Sequence, residues 1–129
     1  MAHRTVFIDT WHRFQQGAKL SDFEMRLAGV MQHYPNYTER LHLLQEGGEP
    51  GKYSDNPFLL MGAHFEVGEQ IAQDRPGGVR AVYQRLVGLH GEVGAQLLMR
   101  DVLIDLLSES YSKGEVPDYS LYIIRLKKC

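Results

Sequence analysis

His64 stands alone among the apolar residues Leu60, Met61, Val67 and Ile71, which recur at helical spacing. An imidazole in that setting has two uses: a ligand or proton carrier near neutral pH, or a structural side chain held by a hydrogen bond. Asn56 and Arg75 flank the same segment. Polar loop residues beside a rigid element often contact ligands. The structural reading comes first, with Asn56 as a helix cap and Arg75 binding the free carbonyls at a helix end or pairing with Glu69. Carboxylate pairs offer less. Glu66 and Glu69 lack the four-residue helical spacing, and Asp101 and Asp105 have it beside Arg100, as on a solvated edge. Gly77-Gly78 has neither the Lys-Ser/Thr ending of a phosphate loop nor a preceding strand. Cys129 is the last residue, and Ser108, Ser110 and Ser112 read as late-helix serines with no nucleophile elbow.

The elements that must position these residues are helical by pattern. Phe7, Ile8, Trp11 and Phe14 predict a helix from Thr5 to Gln16, closed by Gly17. Ser21 stands three residues before Glu24 in the capping-box arrangement, opening a helix with Phe23, Leu27, Val30 and Met31 on its apolar stripe. Pro35 stops simple continuation. Tyr37, Leu41 and Leu44 then lie at helical spacing until a polar Gly/Pro loop begins at Glu46 and runs to about Asp55. Asn56-Pro57 is the clearest start signal, a favoured cap before a proline pre-organised for the first helical position, and predicts a helix over 57–73. On that helix Glu66, Glu69, Gln70 and Gln73 are expected on other faces than His64.

Asp74-Arg75-Pro76-Gly77-Gly78 punctuates the chain, with Pro76 placed to begin the next helix. Its apolar members are Val79, Val82, Leu86 and Leu89, and His90-Gly91 should end it. From Glu92 to about Tyr111, Val93, Leu97, Leu98, Val102, Leu103, Ile104, Leu106 and Leu107 cover a broad arc, as on a central helix. The segment 119–126 is rich in strand-forming types, while Pro117-Asp118 is a helix opening. A helix is favoured, because a strand without a partner leaves its backbone groups unsatisfied.

At 129 residues the chain reads as one domain, 1–129. Its 43% hydrophobic and 23% charged residues place it among globular proteins rather than disordered ones. A net charge of −2 gives no global attraction to nucleic acid or to an anionic bilayer, so both are disfavoured as partners. The cations of Arg125-Leu126-Lys127-Lys128 fit the negative end of a helix. One cysteine permits no internal disulfide, and no export signal or apolar span is present. A cytoplasmic location is expected.

The run Asn56-Pro57-Phe58-Leu59-Leu60-Met61-Gly62-Ala63-His64-Phe65, with Glu69-Gln70 and Asp74-Arg75-Pro76-Gly77-Gly78-Val79-Arg80, resembles the bacterial family called domain of unknown function 1841. Lesser agreement extends through Phe23-Glu24, His33-Tyr34-Pro35-Asn36-Tyr37, Tyr83 to Leu86, Met99 to Leu103 and Pro117-Asp118 to Tyr122. The resemblance brings no activity. It implies a set of histidines able to bind a metal, but Tyr34, Thr38, Leu60, Val93 and Leu97 stand at the matching positions, with His64 retained and His33 one place away. A zinc site normally takes three or four protein ligands, and a di-metal helical site adds several carboxylates. The ligands left for a remnant site are His64, His33 and Glu24, with Glu69.

The expected fold is all-α, a compact array of five to seven helices with those over 57–73 and 92–111 at its centre. The favoured function is a non-enzymatic interaction or ligand-binding module, bound to a protein partner or to a second copy of itself, without a cofactor. Its candidate ligand-binding residues are Glu24, Asn56, His64, Glu69 and Arg75. The alternative is a protein or enzyme holding a divalent transition metal through His64 with Glu24 and Glu69 or His33.

Overall fold

A computed structural model describes residues 4–41 and 56–129. The described residues form six helices and no strand: α1 (Arg4–Gln15), α2 (Asp22–Met31), α3 (Pro35–Thr38), α4 (Pro57–Gln73), α5 (Val79–Lys113) and α6 (Tyr119–Lys127). The all-α class is the one that the residue spacing predicts. Leu44 and the expected Gly/Pro loop lie outside the described residues. No described helix is long and apolar enough to cross a membrane. The chain divides into two compact units, Met1–Phe65 and Glu66–Cys129, with α4 contributing residues 57–65 to the first and 66–73 to the second.

In the first unit, Phe7 of α1, Leu27 and Met31 of α2, Tyr34, Leu41, and Phe58 and Met61 of α4 share one core. Each such side chain taken fully out of water contributes roughly 1.5–3 kcal/mol. The Phe7 and Phe58 rings meet at 5.6 Å, tilted by 59°, and the Arg4 guanidinium lies 5.2 Å from the Phe58 ring centre. The predicted capping box opens α2: Ser21 Oγ accepts from Glu24 N at 3.1 Å, and Glu24 Oε1 accepts from Ser21 N at 2.9 Å. The apolar stripes are narrower than expected. Phe14 and Phe23 are exposed at the ends of α1 and α2, and Thr10 is buried in place of Phe14. Their rings still find partners, Trp11 for Phe14 and Phe65 for Phe23.

In the second unit, α5 begins at Val79, not at Pro76. Gly78 has φ 94°, outside helical space, so the helix can start only after it. Asp74 Oδ1 accepts from Arg80 N at 3.0 Å and satisfies a donor of the first turn. Gly91, at φ 78° and ψ 169°, interrupts α5 where the sequence predicts a stop. The helix resumes to Lys113, with Ala95, Met99, Leu103, Ile104 and Leu106 buried and Leu89 and Val93 exposed beside the break. The segment 119–126 is helical: Asp118 caps α6 by accepting from Ser120 N at 2.9 Å, and Tyr122 and Leu126 are fully buried. Arg85 of α5 holds the far end of α6, donating to Leu126 O at 2.9 Å and Cys129 O at 3.1 Å. Arg125 of α6 binds Glu109 of α5 through its two terminal guanidinium nitrogens, and that hydrogen bonding holds the Glu109 carboxyl below its usual range.

Candidate functional site

His64 is buried at 2% exposure, and its Nδ1 shares a 2.9 Å hydrogen bond with the Tyr34 hydroxyl. The exposed His33 ring stacks on it, 5.4 Å between centroids at 22°. Near-parallel stacking sets the two imidazole planes face to face, not with their nitrogens converging on a common point. Glu24 is committed to its cap and to Arg13, whose Nε lies 3.2 Å from Oε2. The backbone hydrogen bond from Ser21, ahead of the Arg13 charge, keeps this carboxyl below its usual range. Among the described residues no group of three or more His, Cys, Asp or Glu side chains is arranged to hold a metal ion. Asn56 caps α4, accepting at Oδ1 from Phe58 N at 3.0 Å. Glu69 is half-buried on the part of α4 that belongs to the second unit.

Arg75 lies in a different setting from these. The carbonyls at the end of α4 are held by Arg80, which donates to Ile71 O at 3.1 Å and Ala72 O at 2.9 Å. Arg75 instead lines a cleft of about 350 Å³ in the second unit, with Glu66 and Gln70 of α4, Pro76 of the turn and Tyr119 of α6. Neither Cys129 nor any serine lines it. A smaller cavity of about 90 Å³ beside Leu106, Ser110 and Leu121 is lined by five charged residues, of which Glu109 and Arg125 are bound to each other and Asp118 caps α6.

Gln70 is the departure from the expected pattern. Placed on a polar face by helical spacing, it is only 4% exposed. Its Oε1 accepts from the Tyr122 hydroxyl at 2.7 Å, which draws the amide beneath α6. Its Nε2 is buried and has no acceptor in the protein among the described residues. Such an orphaned donor costs about 1–3 kcal/mol. In this orientation the neutral phenol gives its proton to Oε1. Burial first, then the neighbouring Tyr119 and Glu66, holds the Tyr122 hydroxyl proton far above the usual phenol range. Tyr119 is shifted upward for the same reasons, burial and then the Glu66 carboxylate, so that carboxylate faces the same wall.

Of the five candidate residues from the sequence, the cleft takes Arg75. The others belong to a cap (Asn56), a cap and ion pair (Glu24), the first unit's buried histidine (His64) and the partly buried face of α4 (Glu69). Gln70 and Tyr119 carried no local signal for the cleft, since both are brought to it by the packing of α6.

The family model described as domain of unknown function (DUF1841) matches residues 1–128, and the chain belongs to that family. No match was found among curated proteins or among solved structures.

Proposed function

We propose that this member of the DUF1841 family is a non-catalytic ligand-binding module, and that the cleft formed by Glu66, Gln70, Arg75, Pro76 and Tyr119 takes a small polar molecule. The observation that carries this reading is Gln70, which lines the cleft and whose buried Nε2 has no acceptor in the protein among the described residues. Buried polar groups are nearly always paired, and an exception of this kind calls for a physical reason; a bound acceptor supplies one. The cleft offers an amide, a guanidinium, a carboxylate and a phenol, groups suited to recognition, and the reading needs no resident cofactor.

Acetate is a suitable probe, being small enough for the cleft and an acceptor for both Gln70 and Arg75. In 15N-labelled full-length protein, millimolar acetate is expected to move the Gln70 side-chain amide and the Arg75 Nε resonances together, and Gln70→Met to abolish the response at Arg75. Shifts scattered over surface lysines and arginines, with Gln70 silent, would refute it.

A further inference from the structure

We infer that the ligand is a zwitterion, a free α-amino acid bound by its two charged groups and held against Tyr119 and Pro76 by its side chain; this rests on the cleft being a binding site. The cleft wall carries one cation and one anion, Arg75 and Glu66. Among the described residues neither is ion-paired with the other or with a third group, although charges of opposite sign share the same small cavity. A simple anion would satisfy Arg75 and meet Glu66 as a repelling neighbour, and a simple cation would meet the reverse. A molecule carrying both charges satisfies both.

Gln70 fixes which end goes where. Its Nε2, like any amide nitrogen, can only donate, and the amide's acceptor, Oε1, is taken by the Tyr122 hydroxyl. Nε2 is covered in the structure, so binding requires a shift of the Gln70 side chain that uncovers it; it then serves the carboxylate, one oxygen taking Nε2 and the other the Arg75 guanidinium, while the ammonium turns to Glu66. The remaining wall is a proline ring and a tyrosine ring, which suits an apolar side chain. The cleft, about 350 Å³, has room for an amino acid of leucine size.

Three probes of one shape separate the possibilities: leucine, 4-methylpentanoate, which lacks the ammonium, and 3-methylbutylamine, which lacks the carboxylate. Titration calorimetry on the full chain should show leucine binding about tenfold or more tighter than either truncated probe, since a charge-assisted contact is worth roughly that factor. Arg75→Gln should reduce leucine to the affinity of the amine, and Glu66→Gln to that of the acid. Both residues are exposed and without an ion-pair partner among the described residues, so these variants should fold as the parent does. If 4-methylpentanoate binds as tightly as leucine, the zwitterion inference fails and the cleft survives as an anion site. If no probe moves the Gln70 side-chain amide, the inference fails together with the binding reading.

Discussion

Replacing both members of the Tyr122–Gln70 pair tests whether the amide is retained at a cost in stability. Tyr122→Phe keeps the buried ring and removes only the hydroxyl, so Gln70 Oε1 loses the 2.7 Å bond and the amide has neither end satisfied by the protein. The expected loss is about 1–3 kcal/mol, or about 3–10 °C in Tm for a chain of this size. Gln70→Leu has opposing effects. It leaves the Tyr122 hydroxyl buried without its acceptor, but it also removes the orphaned Nε2, so its net loss should be smaller, within about 1 kcal/mol of the parent. In the double variant apolar groups face each other with nothing left unsatisfied. Without ligand it should be at least as stable as the parent, with a coupling between the sites of about 1–3 kcal/mol. Urea unfolding at neutral pH, with the m-value checked for constancy, gives all four corners of the cycle. Additive single losses would refute the reasoning, as would a Tyr122→Phe variant indistinguishable from the parent.

The raised Tyr122 pKa predicts alkaline behaviour of definite sign. Its contribution to stability is complete below the ordinary phenol pKa of about 10 and falls as the pH rises, because the unfolded chain ionises first. An absorbance titration should show a late phenolate step coinciding with loss of helical circular dichroism; since Tyr119 also titrates late, Tyr122→Phe should reduce that step by one phenol, and an undiminished step would contradict the assignment. Ser21→Ala removes the Oγ acceptor of the α2 capping box and should cost about 1 kcal/mol in urea unfolding, with no change meaning that the cap is idle. Protein purified without a chelating tag should contain no stoichiometric zinc, iron or manganese by elemental analysis. A metal lost in His64→Ala would replace the ligand-binding module with a metal protein.

The helices were legible where a local residue dictates a boundary. Asn56-Pro57 set the start of α4, the Ser21–Glu24 box that of α2, Pro117-Asp118 that of α6, and Gly91 interrupts α5 where its neighbours suggested. Pro76 misled because helical entry was decided two residues later, by Gly78 in a left-handed conformation. The cleft was scarcely legible at all. Periodicity says which residues share a face but not which neighbour covers that face. Gln70 looked like solvated polarity until a tyrosine 52 positions later was packed over it. Arg75 could be singled out as a loop cation beside a rigid helix, and the rival for its other role, Arg80, was decided by reach to Ile71 and Ala72, which spacing alone does not give.

The most direct measurement is a crystal structure of the full chain grown with leucine. The carboxylate should lie within hydrogen-bond distance of both Gln70 Nε2 and the Arg75 guanidinium, with the ammonium against Glu66. A structure in which Nε2 donates to a protein carbonyl, or is met only by water while leucine is absent or bound elsewhere, would contradict the proposal that this donor is kept for a ligand.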